Sequence, residues 1–216
     1  MTRRDNTAQR CPRCLMLGGV CVCDLVPGPR LETRTRLVLI IHRYEDRKPT
    51  NTGRLAAACL ANSEVIVRGH EWQPTPPLAC DPDTQPLLLF PHDDAVPLTE
   101  RTTPPGPVTL IVPDGNWRQA SKVRQRVPGL RDVPCVSLPV GAPSTYRLRT
   151  EAHEAGLATI EAIARALGLL EGDEGPRVRA ALEFVFGAMV DRTLWSRGMV
   201  RTANVTGGIP PGVVRR

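Results

Sequence analysis

Val108-Thr109-Leu110-Ile111-Val112-Pro113-Asp114-Gly115-Asn116-Trp117-Arg118-Gln119-Ala120 carries the reading of the fold. Its first five residues are apolar or β-branched throughout, the composition of a central strand buried on both faces. Asp114-Gly115 is turn chemistry. Beyond it the spacing predicts a helix with Ala120, Val123 and Val127 on one face and Arg118, Lys122 and Arg126 on the other. A carboxylate and an indole at such a strand end sit where open α/β sheets bind ligands. The same residues also suit plain structure, with Asp114 or Asn116 capping the helix and Trp117 packing.

On either side the chain repeats this alternation. Strands are predicted over 37–42, 64–68, 86–90 and 135–138, and a helix over 52–62 follows a polar loop at 45–51. A Pro-rich excursion fills 74–86. Two helices close the pattern, over 151–169 (Leu157, Ile160, Ala164, Leu167 inward) and 176–197 (Val178, Leu182, Val185, Met189 inward). Pro176 at a first turn and Gly198 beyond the end suit the second. Strands alternating with helices predict an α/β fold with a mostly parallel sheet and helices on both faces. The sequence holds no internal repeat, no Gly-x-Gly-x-x-Gly and no phosphate-binding P-loop.

The 216 residues, 41% hydrophobic, suit one domain with a small appendage. No apolar run reaches the ~20 residues of a membrane span, and the N-terminus lacks a secretory apolar segment, so a cytoplasmic protein without a membrane partner is expected. A net charge of +6 favours a polyanionic partner. Aromatic residues are only 4%, which argues against a broad base-stacking platform and leaves charge and shape to carry any RNA binding.

Four of the seven cysteines lie in Cys11-x2-Cys14-x6-Cys21-x-Cys23. Two thiolate pairs joined by a short Gly18-Gly19 loop can close a tetrahedron around Zn²⁺. All four positions would be filled by protein, so the metal would be structural; free or redox-active thiols are the alternative. Cys59, Cys80 and Cys135 are scattered in apolar context and read as core residues. The expected organisation is a four-cysteine zinc knuckle over 1–30, a catalytic domain over 31–201 and a flexible tail over 202–216, which is rich in Gly and Pro.

Four separated motifs resemble the DTW-domain family of tRNA-uridine aminocarboxypropyltransferases. They are the cysteine cluster; His42-x2-Glu45 with Lys48-x-Thr50-Asn51-Thr52-Gly53-Arg54; Asp114-x2-Trp117; and Ser144-x-Tyr146-Arg147-Leu148-Arg149 followed by Leu157-Ala158-Thr159-Ile160-Glu161-Ala162. The resemblance implies a SPOUT-like fold with a knotted C-terminal region that holds S-adenosylmethionine (SAM). It further implies transfer of the 3-amino-3-carboxypropyl group of SAM to N3 of a tRNA uridine, releasing 5′-methylthioadenosine. The family motif usually has threonine before the tryptophan, where this chain has Asn116.

For that chemistry, Asp114, Trp117 and Arg147 are the catalytic candidates. Asp114 would act as base toward uridine N3 or only orient the reactants. A free Asp titrates at about 3.9 and needs burial to become a useful base. Arg147 or Arg149 would pair with the carboxylate of the transferring group, with Arg54 as a rival; each could instead contact tRNA phosphates or join a structural ion pair. Candidate SAM contacts are Phe90, Pro91, Asp114, Gly115, Asn116, Trp117, Leu138, Ser144, Tyr146, Arg147 and Thr159, with the turns at Phe90-Pro91-His92 and Leu138-Pro139 as walls for adenosine. Tyr146 could equally be a packed core residue. His42 and Glu45 are read, with Asn51 and Arg54, as organisers of a loop. Arg54, Arg118, Lys122, Arg126 and Arg149 are the candidate RNA contacts, and such binding would be salt-sensitive. A SPOUT-type RNA methyltransferase and a non-catalytic zinc-knuckle RNA-binding module are the alternative functions. The oligomeric state, monomer or homodimer, stays open.

Overall fold

A computed structural model describes residues 9–99, 102–148 and 156–215. Six parallel strands form one sheet in the order β2-β1-β5-β3-β6-β4: β1 (Arg36–His42), β2 (Ser63–Arg68), β3 (Gln85–Leu89), β4 (Val96–Pro97), β5 (Val108–Asp114) and β6 (Cys135–Ser137). The order has a physical consequence. The chain runs outward from β1 to β2, returns to lay β3 beyond a gap, and later fills the gap with β5. The carboxyl end of β5 therefore lies at a topological switch point, the position at which open α/β sheets bind ligands.

Period-two alternation divides the core. Leu37, Leu39, Leu110, Val112, Leu87 and Leu89 face α2 (Thr52–Cys59), α5 (Thr159–Leu170) and α6 (Gly175–Ser196). Val38, Ile40, Ile111 and Leu88 face the other way, onto Val123, Val127, Leu130 and Val133 around α4 (Val123–Arg126). Both faces are covered, as the unbroken apolar runs of β1 and β5 require. Asp114 follows Leu110 and Val112 in parity and so points to the α2–α5–α6 face.

Several boundaries differ from expectation, each for a local reason. The helix after Asp114 is broken into α3 (Trp117–Ala120) and α4, although Ala120, Val123 and Val127 are buried as predicted. The 45–51 loop opens with a single turn, α1 (Arg43–Asp46), capped by His42, whose Nδ1 accepts from the Tyr44 N–H at 3.3 Å. The helix predicted to run to 62 stops at Cys59, because Leu60 turns extended and the Ser63 hydroxyl takes the Ala57 and Leu60 carbonyls. β4 is two residues long, too short for any periodicity to reveal. The helix predicted from 151 begins at Thr159: Ala158 is extended, and the Glu161 carboxylate accepts from its N–H at 2.8 Å, closing the first turn. Residues 151–155 lie outside those described. α6 matches its predicted span within a residue, and Gly198, at φ +78°, ends it: the Met199 N–H reaches back to the Leu194 carbonyl at 2.9 Å.

The cysteine segment is part of the same body. Met16, Val20 and Val22 join the main core, and Arg192 of α6, 1% exposed, ties the segment down. Its guanidinium donates to the Cys21 carbonyl, to both Asp24 oxygens at 2.7 and 2.9 Å, and to the Gly208 and Gly207 carbonyls at 2.8 and 3.3 Å. The neighbouring Asp191 holds the Thr206 N–H and hydroxyl at 3.0 and 2.7 Å. The stretch from Thr202, expected to be loose, is thus bonded to α6 at several points. Replacing Arg192 by methionine will strand three carbonyls and the Asp24 carboxylate; the expected cost is about 3 kcal/mol, a drop of roughly 6–12 °C in melting midpoint. Calorimetry checks it.

Cys59 and Cys135 are buried and Cys80 packs against the second cluster, as core readings require; burial pushes the Cys59 thiol up to about 12. No helix among the described residues is long and apolar enough to cross a membrane.

Candidate active site

Asp114, 7% exposed, is the hub of the site. Its Oδ2 accepts from Asn51 Nδ2 at 2.5 Å and its Oδ1 from the Thr159 hydroxyl at 2.7 Å. Asn51 can reach because it is the N-cap of α2, where its Oδ1 accepts from the Arg54 N–H at 2.8 Å. Thr159 can reach because α5 starts there. Gly53 completes the fit: a Cβ at that position would lie 2.7 Å from Asp114 Oδ2 and 2.9 Å from Leu39 Cδ1.

The contacts continue into a closed ring. Glu161, one turn into α5 and 5% exposed, accepts from the Ser144 hydroxyl at 2.6 Å and from the Thr145 N–H at 2.7 Å. The Ser144 oxygen in turn accepts from the Tyr146 N–H at 3.1 Å. Tyr146 is buried against Phe186 and donates its hydroxyl to the Thr50 carbonyl at 2.7 Å, beside Asn51. Four segments distant in sequence are therefore stitched around one carboxylate: the 50–53 turn, the end of β5, the start of α5 and the 144–146 strap.

The DTW domain family matches residues 8–194, which takes in the cysteine cluster and every residue of that ring. The chain belongs to the DTW family. It is 30% identical to tRNA-uridine aminocarboxypropyltransferase 2 of Drosophila melanogaster over 182 residues, 82% of this chain and 72% of that protein. The protein of the same name from Macaca fascicularis is 32% identical over 168 residues, 74% of this chain but only 56% of the macaque protein. tRNA-uridine aminocarboxypropyltransferase A of Arabidopsis thaliana is 27% identical over 221 residues, 84% of this chain and 80% of that one. No solved structure matches the chain.

In this DTW protein the remaining candidates fall into separate places. Trp117, 41% exposed, sets its ring edge against Phe90 at 5.5 Å between centroids, and Phe90 packs toward the α4 face. The acid and the indole of the motif thus leave the same turn in different directions. Asn116, in the family's threonine position, caps α3: its Oδ1 accepts from the Gln119 N–H and Gln119 Oε1 from the Asn116 N–H, both at 2.9 Å. Gly115 lies close beneath that Gln119 side chain. β3 and β6 are neighbours, and the Phe90 N–H donates to the Val136 carbonyl at 3.0 Å, so Phe90-Pro91 and Leu138-Pro139 leave adjacent strands.

The arginines are more committed than their exposure suggests. Arg147 is paired with Asp191 of α6, and Arg54 with Asp46. Arg118, Lys122 and Arg126 lie on α3, α4 and the turn between them, with Arg118 and Arg126 exposed. Arg149 lies outside the described residues. His42 and Glu45 organise the loop as read: Glu45 is buried and paired with Lys48 at 2.5 Å, and burial, then the Arg68 and Arg43 charges, lowers the His42 pKa.

The four clustered sulfurs lie within 4.8 Å of one another, with Cys11–Cys23 at 3.7 Å and Cys14–Cys21 at 3.5 Å. Thiolates around zinc, with Zn–S of about 2.3 Å, have tetrahedral edges of about 3.8 Å, so the donor set and its dimensions fit that ion. Burial alone would raise the Cys11 thiol, but backbone N–H groups at Cys14 and Arg13 outweigh it and bring it to about 6; burial pushes Cys21 up to about 11.

Sequence reasoning did not place Asn51 or Gly53 in the site and named Glu161 only as part of a motif. Their signal was membership of the same ordered motifs as Asp114 and Tyr146. Gly53→Ala tests the ring. Overpacking should cost about 1–3 kcal/mol, and displacing the carboxylate by up to about 1 Å should lower turnover by as much as about 10²-fold. Thermal melting and single-turnover kinetics measure the two effects.

Proposed function

We propose that this chain transfers the 3-amino-3-carboxypropyl group of SAM to N3 of a tRNA uridine, in the cytosol, with 5′-methylthioadenosine as the second product. The observation that carries the reading is the ring of DTW-motif residues closed around the buried Asp114 at the switch point of the sheet. Relatives named as tRNA-uridine aminocarboxypropyltransferases over most of this chain support it.

SAM supplies an electrophilic carbon beside its sulfonium, and which of three carbons reacts is decided by orientation alone. The protein's part is therefore positional. Asn51 and Thr159 fix the Asp114 carboxylate from two directions, and Asp114 accepts the uridine N3 proton as the new C–N bond forms and the C–S bond breaks, its electron pair leaving on the sulfur of 5′-methylthioadenosine. Phe90-Pro91 and Leu138-Pro139, leaving adjacent strands, offer apolar walls suited to adenosine, with Trp117 beside them. Arg147, anchored through Asp191 and 58% exposed, offers its guanidinium to the carboxylate of the transferring group. Ser144, Tyr146 and Glu161 hold the strap that carries Arg147.

We further assign the cysteine cluster, within a knuckle over 1–30, to structural Zn²⁺, and the domain over 31–201 to a SPOUT-like, knotted fold; the all-parallel sheet with β5 between β1 and β3 is in keeping with that. Incubating the protein with SAM and unmodified tRNA tests the function. Methylthioadenosine release with a matching mass gain on uridine is expected. S-adenosylhomocysteine instead would mark methyl transfer and overturn the proposal.

A further inference from the structure

The reacting ring lies on one face of the sheet; the opposite face of the same edge holds a second cluster. His42 and Arg68 are register partners at the ends of β1 and β2, and by alternation they share the face that α4 covers. Arg68 is only 4% exposed. Its guanidinium donates to the Gln119 carbonyl, its Nε meets no partner, and among the described residues no carboxylate pairs with it. Gln119 is itself bonded to His42 Nδ1, at 3.1 Å. The Arg126 charge acts against the charged forms of both Arg68 and His42. A buried guanidinium with one neutral acceptor and a second cation nearby is costly as it stands. An oxyanion would supply the missing acceptors and cancel the repulsion, and the planar fork of arginine matches phosphate.

The surroundings say which phosphate. Tyr44 is 62% and Trp72 94% exposed, the latter four residues beyond Arg68. Arg43, whose Nε also lacks a partner, lies over the Tyr44 ring at 4.7 Å and pairs at 2.8 Å with Glu71, the chain neighbour of Trp72. Large exposed aromatic rings near such a cationic cluster suit a strand whose bases stack while its backbone is neutralised. A free phosphate ion has no use for them.

We propose that Arg68, Arg126 and the His42–Gln119 pair form a pocket for one backbone phosphate of RNA, with Trp72 and Tyr44 stacking the neighbouring unpaired bases. This rests on the tRNA reading and extends the RNA surface from α3 and α4 across the sheet edge to β2.

The test is fluorescence anisotropy of unmodified tRNA over a salt series. Arg126→Gln and Arg68→Gln should each weaken binding and reduce the slope of log K against log salt by about one. Trp72→Ala should weaken binding roughly tenfold and leave the slope intact. An unchanged slope in Arg126→Gln overturns the pocket, and unchanged affinity in Trp72→Ala overturns the stacking. Should Arg68→Gln fail to fold, the two surface variants decide. A melting midpoint raised by sodium phosphate over sodium chloride at equal ionic strength, with tRNA binding of the variants unaltered, would assign the pocket to a free anion and reject the proposal. Failure of the wild-type protein to bind tRNA at all would instead reject the tRNA reading, so the two failures are distinct.

Discussion

Asp114→Asn is expected to lower methylthioadenosine release by about 10²–10⁴-fold, the range that removal of a general base produces. The substitution is nearly isosteric and the site can accommodate it. Asn51 Nδ2 can still donate to the amide oxygen of residue 114, and the Thr159 hydroxyl can rotate to accept from its amide nitrogen. Stability should therefore change by only about 1–2 kcal/mol, the scale of a rearranged buried hydrogen bond. A large loss of turnover with a small loss of stability separates chemistry from folding. Single-turnover kinetics with saturating SAM and tRNA, paired with a denaturant melt, give both numbers. If turnover falls less than tenfold, the Asp114 carboxylate only orients the reactants.

Removing the zinc proposed for the cysteine cluster should have the largest effect on stability. Apparent binding free energies of structural zinc in small peptides are about 10–16 kcal/mol at neutral pH, comparable to the whole stability of a typical domain at about 5–15 kcal/mol. Here the knuckle is not an appendage. Met16, Val20 and Val22 belong to the main core, and Arg192 spans from the Cys21 carbonyl to Gly207 and Gly208. Cys14→Ser, or exhaustive chelation, is expected to release one Zn²⁺ per chain and to lower the melting midpoint by more than 15 °C, on a scale of roughly 2–4 °C per kcal/mol. Protection of α6 amides against hydrogen exchange should fall at the same time. Protein purified without zinc that melts at the same temperature as zinc-loaded protein would remove the assignment.

How legible the site was depended on the range of the interaction. The cysteine cluster could be read because its four members lie within thirteen residues of one another. The strand before Asp114 could be read because a parallel strand buried on both faces is apolar or β-branched over nearly its whole length, and Val108–Asp114 is buried throughout. The capping role of Asn116 was among the sequence readings, being a contact three residues long. By contrast, Asn51 meets Asp114 from 63 residues away and Ser144 meets Glu161 from 17. No local pattern encodes either pair. The break between α3 and α4 is equally silent in the periodicity, since both pieces keep the same apolar face.

Sequence alone determined the types of the longer elements, the parallel class of the sheet, the buried strand ending in an acid and the four-cysteine cluster, because each is set by spacing along the chain. Tertiary structure alone decided the strand order that puts the end of β5 at a switch point. It also decided which helices meet the Asp114 face, the commitment of Arg147 to Asp191, and the pairing of a buried Arg68 with His42. Those depend on how the connections cross the sheet. Side-chain periodicity reports which way a residue points, while the topology decides what stands opposite it.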